Sequence, residues 1–330
     1  MGRRRAARGT ARDRGFGRSG PGIADAGVRM HPLRMPNIPA NGIQLEYDTF
    51  GPDAGRPLVL IMGLGGQMLM WDEAFCEALA ERGHRVVRFD NRDVGLSTKF
   101  DEAGVPDVPA LMAAAASGQS VEVPYTLDDM ADDVAGLLDA LGLTSAHVCG
   151  ASLGGMIAQT VAIRHAPRVR SLVSIMSTTG SPDVSPARPE AMQVLLAPPP
   201  ADRAGNIERA IETWRVIGSP GYPADPERIR ERSEILYDRA FTPTGTARQM
   251  AAILAHGSRG EALAGVTVPT LVIHGTDDPL VPIEGGRDTA RAIPGAELLE
   301  VEGMGHDLPP ALFERFADAI SEHTRKAESA

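Results

Sequence analysis

Apolar residues in this chain follow two alternating rhythms. "PLVLIM" (57–62) is a continuous apolar run, as expected of a strand buried on both faces, and "RVVRFD" (85–90), "AHVCG" (146–150), "RSLVSIM" (170–176) and "TLVIHG" (270–275) also read as strands. "GIQLEYDTF" (42–50) alternates instead and reads as a strand with one wet face, and "AELLEV" (296–301) completes the set. Between the runs lie stretches with helical spacing. Over 126–141 the residues Leu127, Met130, Val134, Leu137, Leu138 and Leu141 share one face, and Thr126 with Asp129 forms a capping signature at the start. Helices are also predicted over 72–82, 153–165, 284–293 and 309–326, the last with Leu312, Phe316 and Ile320 in register. Recurrent strand–helix units predict an α/β architecture: a mostly parallel central sheet flanked by helices.

The rhythm breaks over 180–261. No convincing strand occurs there, and proline and glycine separate four helical stretches, near 187–197, 206–218, 226–240 and 244–257. A helical block between two core strands reads as an inserted cap. The predicted organisation is therefore a core in two parts, 35–179 and 262–330, around a helical cap at 180–261, preceded by a tail at 1–34.

Composition narrows this picture. The 330 residues are 43% hydrophobic and 23% charged, ordinary for a soluble enzyme, and no apolar run suggests a membrane span. Net charge is −10, but residues 1–34 carry nine arginines against Asp13 and Asp25. The remainder is thus strongly acidic, which argues against a nucleic-acid-binding body. The tail is rich in Arg and Gly, lacks apolar periodicity and lacks the apolar segment of a signal peptide. It is expected to be disordered, and the protein is expected in the cytoplasm. Cys76 and Cys149 do not suggest a disulfide framework, and Cys149, in a predicted buried strand, reads as a reduced core thiol.

The candidate chemistry centres on "HVCGASLGGM", where Ser152 stands between Gly150 and Gly154 at the junction of a buried strand and a helix. Carboxyl ends of parallel strands form the ligand crevice of such sheets, and a nucleophile on a sharp turn there needs small residues two positions away on each side. A serine hydroxyl also needs a base. Of eight histidines, His306 in the loop "VEGMGHDLPP" follows a strand at the correct edge and precedes the last helix. "HGTDDPLVP" places Asp277 and Asp278 beyond another strand end, and either could orient the histidine. Two backbone N–H groups would form an oxyanion hole: Leu153, after the serine, and Leu64 in the glycine-rich loop "MGLGGQ". Gly63, Met68 and Trp71 of that loop, with Trp214 and Met250 of the cap, are the expected substrate-binding residues.

The order Ser152, Asp277 or Asp278, His306, together with "GASLGG", "DNRDVGLST" (90–98), "MGLGGQ" and "EGMGHDLP", resembles the α/β-hydrolase superfamily over about residues 38–325. Within it the chain is most similar to aclacinomycin-methylesterase-type and related actinobacterial serine esterases. The resemblance selects Asp278 as the acid and implies a Ser152–His306–Asp278 triad. One departure is Asp93, where the family's loop has a glycine. The expected activity is hydrolysis of a carboxylic ester of a mid-sized to bulky apolar small molecule, with no cofactor and no metal. Thioesterase, lactonase, C–C hydrolase and cofactor-free perhydrolase chemistry fit the same triad, and a non-catalytic ligand-binding protein is a remote alternative. The expected partner is the small-molecule substrate, and the oligomeric state is open, monomer or homodimer.

Overall fold

Eight strands form one sheet in the order β1 (Asn37–Ala40), β2 (Ile43–Phe50), β4 (His84–Phe89), β3 (Arg56–Ile61), β5 (Ala146–Ala151), β6 (Val169–Ile175), β7 (Thr270–Gly275), β8 (Glu297–Val301). The computed structural model describes residues 1–2 and 35–329, so the expectation of a disordered tail lies outside the described residues. Strands β1 and β2 are antiparallel, and β2 joins β4 antiparallel. From β4 through β8 every pairing is parallel.

The continuous apolar run of β3 is explained by burial on both faces. Along β3, Val59 and Ile61 pack on one side, against α3 (Leu127–Ala140) and α4 (Leu153–Arg164). Leu58 and Leu60 pack on the other, against α1 (Glu73–Glu81) and α11 (Phe313–Ser329). The capping box at Thr126 and Asp129 is formed, each side chain bonding the other's backbone N–H. Helix α10 (Ile283–Ala292) links β7 to β8.

Between β6 and β7 the chain forms five helices and, among the described residues, no strand. They are α5 (Pro189–Leu196), α6 (Arg203–Ile217), α7 (Pro226–Arg239), α8 (Pro243–His256) and α9 (Gly260–Leu263). Among strands and α-helices, β1, α9 and α2 (Val108–Ala116) were not anticipated from the sequence. Helix α2 is capped by Asp107, buries none of its residues fully, and has an alanine-rich sequence without an apolar stripe.

Topology positions the site. Strand β4 lies on one side of β3 and β5 on the other, so the strand order reverses between β3 and β5. The crevice of an open α/β sheet opens at such a switch, beyond the carboxyl ends of the strands. Ser152 and the loop 62–67 both begin there.

Candidate active site

Ser152 joins β5 to α4 with φ 55° and ψ −120°, a strained backbone for a residue with a side chain. The chain around it has no room for side chains. A Cβ on Gly150 would lie 1.9 Å from the carbonyl oxygen of Gly154, and one on Gly154 would lie 2.0 Å from that of Ile61. The strain is held by two bonds: Ser152 N–H donates to the carbonyl of Ile175 (2.9 Å), and Ser177 Oγ donates to the carbonyl of Ser152 (2.8 Å). Although Ser152 occupies the N-cap position of α4, its hydroxyl makes no capping bond.

That hydroxyl instead faces His306, whose Nε2 lies 3.0 Å from Ser152 Oγ. On the other edge of the ring, Nδ1 lies 2.7 Å from Asp278 Oδ2. Asp278 is fixed in turn, because its Oδ1 accepts the backbone N–H groups of Leu280 (2.9 Å) and Val281 (2.8 Å). Asp277 points elsewhere, with its Oδ2 accepting from Gly303 N–H (3.0 Å) and Thr276 Oγ1 (2.7 Å). The backbone of His306 is tied to the insert through its N–H, which donates to the carbonyl of Ile217 (2.7 Å).

The loop after β3 comes against the serine: a Cβ on Gly63 would lie 3.1 Å from Ser152 Cβ. Gly65, at φ +63°, turns the loop back, and Gly66 N–H bonds the carbonyl of Gly63 (3.0 Å). Among the described residues neither Leu64 N–H nor Leu153 N–H has a protein acceptor. Both residues border the cavity beside Ser152. Unsatisfied N–H groups at a helix start and a tight turn are suited to a developing oxyanion.

The cavity above Ser152 has a volume of about 1610 Å³. Leu64, Met70, Met156, Trp214, Met250 and Ile253 give it apolar walls. Of the expected binding residues, Gly63, Trp214 and Met250 line it. Met68 and Trp71 do not, which corrects that expectation. Residues 68–70 form a single 3-10 turn whose first N–H is bonded to Asp90 Oδ1 (2.7 Å), and the chain there descends into the core. Both side chains are fully buried, and Trp71 stacks on Phe75 at 5.9 Å between ring centroids. Met70, between them, faces the cavity instead.

Sequence reasoning also missed Val108 and Met112 of α2, Tyr222 and Asp307, all cavity residues. Asp307 follows the histidine, accepts a hydrogen bond from Ser219 Oγ, and has a carboxyl pushed up to about 6 by burial. Its only sequence signal was adjacency to His306.

The fold has known relatives. The model of the α/β hydrolase fold family matches residues 56–309. A rhodomycin D methylesterase from Streptomyces sp. (strain C5) is 33% identical over 315 residues, covering 90% of this chain and 99% of that protein. The rhodomycin D methylesterase of Streptomyces peucetius is 32% identical over 316 residues, covering 90% and 99%. Among solved structures, an enol-lactonase from Burkholderia xenovorans superposes with a TM-score of 0.61 at 26% identity, covering 89% of this chain and all of that one (100%). A meta-cleavage product hydrolase from Pseudomonas fluorescens gives 0.70 at 22% identity, covering 89% and 99%, a likeness of fold. The chain belongs to the α/β-hydrolase fold family.

Proposed function

We propose that this chain is a carboxylic-ester hydrolase working through a covalent acyl-enzyme on Ser152. The observation that carries the reading is the unbroken line of hydrogen bonds from Ser152 Oγ through His306 to Asp278, opening on a large apolar cavity. In this mechanism His306 Nε2 takes the serine proton as Oγ attacks the ester carbonyl. The carbonyl oxygen becomes an oxyanion and accepts from Leu64 and Leu153 N–H. Asp278 keeps Nδ1 protonated and stabilises the imidazolium. The imidazolium returns its proton to the departing alcohol. Water, deprotonated by the same Nε2, then releases the acid and restores Ser152.

A cavity of this size and lining favours an ester of a mid-sized to bulky apolar acid. The two methylesterase relatives make methyl esters of large acids the first substrates to try. The test is hydrolysis of an ester series graded in acyl and alcohol size, by wild type and Ser152→Ala. Turnover by wild type with at least about a thousandfold loss in the variant is expected. Undiminished turnover in Ser152→Ala removes the mechanism.

A further inference from the structure

The loop that carries Leu64 is gripped from two directions. The core holds its ends: Asn91 Nδ2 donates to the carbonyl of Met62 (2.9 Å), and Met68 N–H donates to Asp90 Oδ1 (2.7 Å). Its middle is held by the helical insert. Gln249 of α8 accepts the Gly65 N–H on Oε1 (2.8 Å) and donates through Nε2 to the carbonyl of Arg92 (2.9 Å). One fully buried side chain thus bridges two core loops. Thr246, one turn earlier on α8, presses on the same place: a Cβ on Gly65 would lie 2.6 Å from its Oγ1. A hydrocarbon of similar length would fill the space of Gln249 but leave both backbone groups unsatisfied.

Helix α8 is in turn pinned by a buried ion pair. Arg248 Nε and Nη2 donate to Asp93 Oδ2 and Oδ1, each at 2.8 Å, and both residues are buried. Arg248 also reaches the carbonyl of Gly104 (2.7 Å) and Asp101 Oδ1 (3.0 Å). Asp93 has φ 72°, a left-handed backbone that a glycine adopts without strain, yet this chain carries a carboxylate there. Gly245 lets α8 approach, since a Cβ on it would lie 2.1 Å from the carbonyl oxygen of Asp93. Although burial opposes ionisation of Asp93, Arg248 and the Phe100 N–H hold its carboxyl below the usual range.

We infer that Gln249 is a positioning residue for the oxyanion hole, and that the Asp93–Arg248 pair is the anchor that keeps it in place. The insert then holds part of the catalytic geometry as well as the substrate wall. Displacement of α8 releases Gly65, and with it the aim of the neighbouring Leu64 N–H. This inference rests on the esterase reading above.

The experiment measures kcat and KM on p-nitrophenyl butyrate, amide hydrogen exchange at Gly65, and Tm, for wild type and Gln249→Met. The variant is expected to lose about ten- to a hundredfold in kcat with KM within about threefold of wild type. Exchange at Gly65 should rise roughly fivefold or more, while helix 153–164 exchanges as before. Unchanged kcat overturns the inference, whatever happens to Tm, because Gln249 is then only a packing residue. Lost kcat with unchanged exchange at Gly65 also overturns it. Wild-type turnover that survives Ser152→Ala counts against the triad instead, and the exchange measurement alone then decides this point. The anchor is tested with Asp93→Gly/Arg248→Met, which removes both charges and suits the backbone at 93. It should show the same signature more weakly, whereas wild-type kcat and exchange in this variant overturn the anchor. Should Gln249→Met fail to fold, the smaller Gln249→Leu, which also removes both bonds, is measured in its place and read by the same outcomes.

Discussion

At the scale of single residues, the site is a set of backbone constraints that leave few choices of side chain. Ser152 is held at a positive φ by bonds to Ile175 and Ser177, and the glycines around it are required because their missing Cβ atoms would meet carbonyl oxygens. Much of this was readable in the sequence, since glycines two residues either side of a serine at a strand–helix junction imply such a turn. The choice between Asp277 and Asp278 was not readable from spacing, because adjacent residues share it. Three-dimensional context separates them: Asp278 meets His306, and Asp277 caps the turn at Gly303. We therefore expect Asp278→Asn to lower kcat by about three to four orders of magnitude, as an amide there favours the wrong tautomer of His306. Asp277→Asn keeps an acceptor for the Gly303 N–H and is expected to stay within about threefold of wild type. Steady-state kinetics of the two variants make the comparison, and the reverse ranking would remove Asp278 from the mechanism.

At the scale of elements, strands and amphipathic helices were legible because burial imposes a period. Strand β3 reads as an apolar run since both its faces are covered, and α3 reads as a stripe since one of its faces is. Helix α2 was invisible for the same reason: it buries nothing fully, so no stripe marks it, although its Val108 and Met112 reach the cavity. The descent of the chain after Met68 was also hidden, because it depends on a distant carboxylate, Asp90. In the insert, Trp214 of α6 and Met250 of α8 come from separate helices but line one cavity. Trp214→Ala and Met250→Ala are expected to reorder kcat/KM across a graded ester series, with bulky acyl groups losing about tenfold and small ones little. An unchanged ranking in both variants would show that the insert does not select substrate. Stability belongs to this scale too. Arg248→Ala strands a buried carboxylate and should cost about 3–5 kcal/mol in denaturant unfolding. Asp93→Gly/Arg248→Met, which strands no charge, should cost clearly less.

At the scale of the whole molecule, the end of the sheet away from the active site carries a second set of buried histidines. His84 contacts Thr324 of α11 (2.8 Å), His147 contacts Ser171 (2.8 Å), and His323 lies on α11 itself. Burial pushes His84 down to about 4 and His147 to about 3, from an ordinary 6.5. Unfolded, these rings take up protons as pH falls below about 6.5, whereas folded they do not until about 4 or 3. The stability present above 6.5 is therefore lost progressively as pH falls through that window. Melting temperature should drop steeply between pH 6 and pH 4, and His147→Asn should flatten the drop; an acid profile identical in the variant would contradict this assignment. The tail is expected to be dispensable, so a chain beginning at Met35 should keep its Tm and turnover. Among the described residues no helix is long and apolar enough to cross a membrane. In the proposed mechanism, fold, site and insert meet at one nucleophile, Ser152, at the reversal of strand order. The most direct test is active-site titration with a fluorophosphonate, followed by peptide mass mapping. One phosphonyl group per chain is expected, on Ser152, with loss of all esterase activity in proportion and no labelling of Ser152→Ala. Labelling elsewhere, or activity that survives full modification of Ser152, would contradict it.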